Sequence, residues 1–410
     1  MSATSPSHLP EQATSAPRRP AHIIRSDAEA IEVAQRLADD FAREALERDR
    51  DRRLPWAELE RFSDSGLWAI TVPQSHGGAG VSYRTLTEVV AIISAADSSL
   101  GQLPQNHFGV LNNLLLTGSE AQKTEYLAKV LAGYRFGNAF SEAKSKTVTA
   151  FETRIRFDGD SAVLDGEKAY CTGALFAHIV PVAGVDELNR PFVAFVPRET
   201  PGLQVIDSWD GFGQRITASG KVLLDGVRVP ASAVIPAWKA YDQPTADGPV
   251  SQIIQAAVDT GIARGAFAET LRVARLARPW ADSGLEQGRQ DPLSQAAIGD
   301  LAWRLRAAEA ILQRSAQAVD LALAEPSEDS VAHASVIVGQ AKVLSTEIAL
   351  LASTRLLELG GTRTVTASQG LDRFWRNARV HTLHDASRWK YYFIANHLLN
   401  GVLPPRRGTL

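Results

Sequence analysis

The sequence predicts an α+β chain in three parts: an N-terminal α-helical domain, a middle β-barrel-like domain and a C-terminal four-helix bundle. Three observations carry this expectation. Apolar residues recur at mostly i, i+3 and i+4 spacing in the first third, beginning with Ile31, Ala34, Leu37, Phe41 and Ala45. The period falls to two after Gly133, with frequent turn residues. From Val250 onward, the stretches 252–277, 292–324 and 330–359 are each long enough for a bundle helix. The expected limits are 25–135, 136–238 and 239–403, behind a disordered tail over 1–24.

In the first part, helices are expected over 27–48, 54–66, 83–96 and 119–132, the last with Ser119 as N-cap. Gly77-Gly78-Ala79-Gly80 would sit badly in a helix and reads as a turn. Asp97-Ser98-Ser99 breaks one helix and starts another towards Leu116. In the middle part, 151–157 and 161–170 flank Asp158-Gly159-Asp160 and read as a hairpin. Short strands follow over 179–182, 192–196, 202–206 and 221–224, the last ending at an Asp225-Gly226 turn. In the third part Gly360-Gly361 caps a helix, and helices over 371–385 and 389–399 complete the set.

Composition narrows the function. The 410 residues are 45% hydrophobic and 22% charged, with a net charge of −3. That balance gives no electrostatic case for nucleic acid or an anionic membrane. No apolar run reaches the roughly 18 residues that a membrane helix needs. The stretch Ser2 to Pro20 lacks the apolar core of a signal peptide, so a cytoplasmic protein is expected. Met1 and Cys171 are the only sulfur-containing residues, so an intramolecular disulfide and a Cys-based zinc site are excluded. Such poverty fits a protein made when sulfur is scarce, and fits a codon-usage bias equally well.

One stretch near the C-terminus gathers titratable groups. Read as a single helix, it puts His381, His384 and Asp385 at i, i+3 and i+4 on one face, beside apolar Phe374, Ala378 and Leu383. Three such groups at the edge of a buried face form a site candidate. An iron triad is a poor fit, because adjacent His384 and Asp385 would diverge by about 100° around a helix. No metal is expected.

Several motifs then occur in order: Val72-Pro73 before Gly77-Gly78-Ala79-Gly80, Asp97-Ser98-Ser99, Gly166-Glu167-Lys168, and Gly211-Phe212-Gly213-Gln214-Arg215 running into Val227-Arg228-Val229-Pro230. Leu359-Gly360-Gly361 and Arg376-Asn377-Ala378-Arg379 follow. Through these motifs residues 25–403 resemble the acyl-CoA dehydrogenase superfamily. Ala277-Arg278-Pro279-Trp280, Arg373-Phe374-Trp375-Arg376-Asn377 and His381-Thr382-Leu383-His384-Asp385 resemble its reduced-flavin monooxygenases of organosulfur metabolism. The nearest groups are the dibenzothiophene monooxygenases and the sulfone-utilisation oxidoreductases. The resemblance implies a component that takes reduced FMN from a separate NAD(P)H-dependent flavin reductase and uses O2 to oxygenate a small organosulfur substrate. An FAD-dependent acyl-CoA dehydrogenase is the alternative, and a catalytically silent scaffold a remote one.

The same resemblance assigns roles. Dehydrogenases commonly carry Tyr-Glu-Gly-Thr where this chain has His384-Asp385-Ala386-Ser387, so their catalytic glutamate falls on a shorter Asp385. His384 is instead implied to lie against the flavin as hydrogen-bond donor or proton shuttle, with His381 orienting it. Asn138, Ala139, Phe140 and Ser141 are implied to touch the flavin at the entrance to the middle domain, and Lys168, Tyr170, Cys171 and Thr172 at a strand end. Asn138 and the Thr172 hydroxyl are counted with the catalytic groups, whereas Cys171 reads as a buried small hydrophobe. Ala143-Lys144-Ser145-Lys146 replaces the dehydrogenase Pro-x-Ala-Gly-Ser-Asp that serves acyl-CoA. Asn106 stands where the dibenzothiophene enzymes carry a flavin-contacting tyrosine, and Gln102 where they carry a histidine, which suggests a smaller or more polar substrate. Thr362, Arg363 and Arg275 are implied to meet the flavin phosphate across a subunit boundary, and hence a homotetramer.

Overall fold

The computed structural model describes residues 20–147 and 150–406, so most of the expected N-terminal tail lies outside the described residues. Among the described residues, seven α-helices precede the sheet: α1 (Asp27–Ala42), α2 (Ala45–Asp51), α3 (Trp56–Asp64), α4 (Tyr83–Ala96), α5 (Ser98–Gln102), α6 (Gln105–Thr117) and α7 (Glu120–Leu131). The helix expected over 27–48 breaks between α1 and α2, and Arg48 supplies the reason. Its buried guanidinium binds Asp97 at 2.8 Å, Glu58 at 3.2 Å and the carbonyl of Phe41, a set that a straight helix could not reach. Asp97 has a double task, because its other oxygen accepts from the amides of Ser99 and Leu100 and caps α5. The Asp97-Ser98-Ser99 motif is therefore architectural. Ser119 caps α7 in a reciprocal capping box with Gln122.

The middle of the chain forms one seven-stranded sheet from β1 (Arg154–Asp158), β2 (Ser161–Lys168), β3 (Ile179–Val185), β4 (Pro191–Pro197), β5 (Leu203–Ile206), β6 (Lys221–Pro230) and β7 (Val234–Ile235). Their order is β5-β6-β2-β1-β3-β4-β7, so the sheet stays open between β5 and β7. The hairpin is present, with Asp158 opposite Ser161 and Gly159 at φ 57° in the two-residue turn. The expected Asp225-Gly226 turn is not a turn. β6 runs straight through it beside a register shift on β2 between Leu164 and Gly166, and the amide of Gly226 donates to Asp165 Oδ1 at 2.7 Å. That is a bulge, which a local Asp-Gly signal cannot distinguish from a hairpin.

The C-terminal helices are α8 (Asp247–Arg275), α9 (Pro292–Ala324), α10 (Glu328–Gly360), α11 (Asp372–His381) and α12 (Arg388–Asn400). α8 is buried along most of its length against α10, α4 and α9. The stretch Glu328–Val365 is long and apolar enough to cross a membrane, yet 61% of its most apolar 18 residues is buried inside the protein. A lipid-facing helix would not be covered in this way.

Two of the sequence motifs lock sheet to bundle. Arg376 Nη1 donates to the carbonyl of Phe212 at 2.9 Å, and the amide of Gln214 donates to Asn377 Oδ1 at 2.7 Å. Gly213 sits between these bonds, where an added Cβ would lie 2.1 Å from the Arg376 carbonyl oxygen. Backbone on both sides cannot yield. Gly213→Ala should therefore destabilise by about 1–3 kcal/mol, read as a lowered denaturant midpoint with an unchanged slope. An unchanged midpoint would mean that the two loops are not coupled.

Candidate active site

The predicted residues fall into four places. The first is the end of β2. The segment before β1 runs beside β3, with Phe136 bridged to Ile179 and Ala139 to Val182, and Ala169 N donates to the Ser141 carbonyl at 2.9 Å. Asn138, Ser141, Tyr170 and Thr172 are thereby gathered at one sheet end. Asn138 Nδ2 makes a long bond to the Tyr170 carbonyl at 3.4 Å, while its Oδ1 is buried with no partner. Tyr170 is exposed and takes φ +57°, a strained setting for a non-glycine residue. Thr172 Oγ1 lies 2.7 Å from Ser219 Oγ, which lies 2.8 Å from Thr217 Oγ1. An orphaned amide oxygen beside a hydroxyl chain suits the N–H and C=O edge of a planar heteroaromatic ring.

Lys168 and Cys171 belong to the interior instead. The Lys168 ammonium is fully buried, 2.6 Å from Glu142 Oε1 and 3.1 Å from the Phe140 carbonyl, so only its backbone is left to face a ligand at the strand end. Its charge is needed by Glu142, because an unpaired buried carboxylate is costly. Cys171 packs in the sheet core, and burial pushes its thiol up to about 12.

The second place is a cavity of about 680 Å³ between α6, the sheet and the start of α8. Phe140, Phe151, Phe192 and Val193 give it an apolar body, while Asn106, Asn113 and Asp247 line it with polar groups. Its size and mixed lining are those of a small-molecule site. Ser251 of α8 also lines it, next to Gln252. A more open groove of about 780 Å³ lies elsewhere, by Arg52 and Asp207, and its walls are crossed by the ion pairs Arg52–Asp207 and Arg376–Asp49. Paired charges make it a domain joint rather than a ligand pocket.

The third place corrects the reading of the histidine stretch. α11 stops at His381, and tighter turns follow, with Leu383 N bonded to Val380 O and His384 N to His381 O. His384 and Asp385 therefore lie in the turn before α12 and share no helix face with His381. The cause is tertiary. Asp385 Oδ2 accepts from Gln252 Nε2 of α8 at 2.9 Å and lies 3.0 Å from His384 Nδ1, which ties the turn to α8. Burial would push the Asp385 carboxyl up, but His384, Gln252 and Lys390 outweigh it and hold the group well below the usual carboxylate range. So pinned and so acidic, Asp385 is poorly suited to abstract a proton.

His381 is likewise not bonded to the His384 side chain. Its Nδ1 lies 2.5 Å from Asp259 Oδ1 of α8, and Asp259 Oδ2 lies 2.5 Å from Lys342 Nζ of α10. All three side chains are fully buried. Burial would raise the Asp259 carboxyl, but Lys342 and His381 bring it down to about 2. For His381, burial outweighs the attraction of Asp259 and keeps the ring below its usual range, so it stays neutral. Lys390 of α12 completes the seam. Burial, opposed by Asp385 and reinforced by Lys342, lowers it to about 8.

Gln252, Gln255, Asp259, Lys342 and Lys390 were missed by the sequence reading. Their signal was available in part, because Gln252, Gln255 and Asp259 stand at i, i+3 and i+7 on a helix that is otherwise largely apolar. The fourth place holds the predicted phosphate ligands. Thr362 and Arg363 lie in the exposed turn after α10, and Arg363 Nη1 donates to the Leu276 carbonyl at 3.2 Å, beside exposed Arg275. Among the described residues, no hydrogen bond or ion pair links this basic corner to Asn138 or Thr172.

Comparison with known proteins agrees with the architecture. Residues 27–134 match the acyl-CoA dehydrogenase N-terminal domain, and residues 253–389 match a C-terminal domain of the same family. The chain is 33% identical to the dibenzothiophene monooxygenase of Rhodococcus qingshengii over 398 residues, covering 92% of this chain and 95% of that one. It is 29% identical to a probable FMNH2-dependent monooxygenase, SfnC, of Pseudomonas putida, covering 92% and 96%. The crystal structure of FMN-bound TdsC from Paenibacillus sp. A11-2 superposes with a TM-score of 0.89 at 31% identity, covering 93% of this chain and all of that one. With its helical, sheet and helical parts in that order, the chain belongs to the acyl-CoA dehydrogenase family, alongside the dibenzothiophene monooxygenases.

Proposed function

We propose that the protein is the oxygenase component of a two-component system in the cytoplasm, which uses reduced FMN and O2 to oxygenate a small organosulfur compound. A separate NAD(P)H-dependent reductase supplies the flavin, because the chain has no dinucleotide fingerprint of its own. Bound reduced FMN would supply the electrons that activate dioxygen. The chain's residues do the rest. Asn138 Oδ1 accepts from the ring edge, the Thr172 hydroxyl holds a polar atom of the ring, and His384 holds or gives a proton at Nε2. The cavity beside α6 holds the substrate and keeps water from it.

The observation that carries this reading is the state of Asp385. In the dehydrogenase alternative its carboxylate must take a proton, yet Gln252 and His384 both bind it and hold it ionised. Asn106 and Asn113 in the cavity wall favour a substrate with polar character. Exposed Leu276, Trp280, Trp389, Tyr391, Leu398 and Leu399 support further subunits, and a homotetramer would bring the Arg275–Arg363 corner of one copy to the flavin of another. The test is to load the protein anaerobically with reduced FMN, add heavy-isotope O2 and a panel of thiophenes, sulfones and sulfinates, and follow the label by mass spectrometry. Label in the sulfur compound is the expected result. Thioester-dependent dye reduction without oxygen, with no label transferred, would instead establish the FAD dehydrogenase.

A further inference from the structure

Gln255 lies on α8 between Gln252 and Asp259, and its Nε2 is 3.3 Å from Nε2 of His384. Its amide oxygen is buried with no partner. On the far side of the ring, His384 Nδ1 is 3.0 Å from Asp385 Oδ2, an ionised carboxylate that can only accept. The neutral ring must then carry its proton on Nδ1, which leaves the Nε2 lone pair to accept from the Gln255 amide. Once Nε2 is protonated, the same amide opposes donor to donor. Turning it over presents the oxygen instead, and the two ends of an amide are so alike in shape that the turn needs little space.

We infer that Gln255 is a positioning residue for His384: its amide fixes the tautomer of the neutral ring and, turned over, accepts a hydrogen bond from Nε2–H of the charged one. The orphaned oxygen is the half of the amide kept for the second state. Among the described residues, the hydrogen bond to His384 Nε2 comes from Gln255, while Gln252 Nε2 is given to Asp385. His381 of α11 is bonded to Asp259, Asp259 of α8 is held by His381 and Lys342 of α10, and Asp385 already occupies Nδ1. Lys390 of α12 brings a positive charge near Asp385 and offers no acceptor. The inference builds on the proposed role of His384 in proton handling, but the contact is measurable without the reaction.

The experiment is histidine-nitrogen NMR on the full chain, with the His384 signals assigned by their loss in His384→Ala. Wherever the ring is neutral, the wild type should show the Nδ1–H tautomer. In Gln255→Glu the carboxylate accepts from Nε2, so the doubly protonated ring should persist to higher pH than in the wild type. In Gln255→Leu the Nε2 partner is gone, and the two neutral tautomers should mix. The pH optimum of oxygenation should move to the alkaline side in Gln255→Glu. His384 nitrogen shifts that match the wild type in both the Glu and the Leu variants would overturn the inference. Changed shifts with unchanged oxygenation would support the contact and sink the catalytic role of His384, so the two failures are distinguishable.

Discussion

His384→Ala should lower oxygenation by about a hundred- to ten-thousand-fold while leaving flavin binding in place. The size is that of losing a positioned proton donor, and the separation from binding follows from where the ring sits. The polar groups suited to a flavin edge are Asn138 and Thr172 at the sheet end, on elements that His384 does not hold up. His384 lies in a turn, with its side chain 40% exposed, so truncation opens no sealed core and the fold should survive. Flavin affinity by fluorescence titration and product by chromatography are the two measurements. A variant with full oxygenation and flavin bound would remove His384 from the mechanism. Asp385→Asn is the companion, because it keeps the shape but weakens the hold on Nδ1. It should lose activity by a smaller factor, since an amide oxygen can still accept from that nitrogen.

The long helices could be read from the sequence because their signals are local. α9 begins at the expected residue because Asp291 caps it and Pro292 is favourable in a first turn, and α4 ends where Asp97 stops it. The failures share a different origin. The break after α1, the bulge at Gly226 and the end of α11 are each set by a partner far along the chain: Asp97 for Arg48, Asp165 for Gly226 and Gln252 for Asp385. The site divides in the same way. Motifs pointed to His384, Asn138 and Thr172, whereas Gln255, Asp259 and Lys342 looked like stray polar residues on core helices. Nothing in the spacing of α8 or α10 says which polar residue on one will meet which on the other.

Asp259→Asn should destabilise the protein by about 3–5 kcal/mol, the cost of leaving one member of a buried ion pair uncompensated. The Lys342 ammonium is fully buried, and among the described residues its side-chain acceptors are Asp259 and the Thr346 hydroxyl, at 3.1 Å. Replacing the carboxylate by an amide removes the charge that balances it, although the new carbonyl can still accept from His381 Nδ1. For that reason Lys342→Met added to Asp259→Asn should recover more than half of the loss, because it removes the stranded charge and keeps the histidine bonded. The sign with pH follows from the depressed carboxyl. Its folded value is about 2 against an ordinary 3.8, so the folded state favours the ionised form. The stability it contributes is fully present above about pH 4 and is lost as pH falls towards 2. Denaturant unfolding across that window should show a steeper acid limb for the wild type than for Asp259→Asn. Equal limbs, or a single variant as stable as the wild type at neutral pH, would mean that Asp259 does not hold Lys342 and His381 together. The seam behind His384 would then need another source of rigidity.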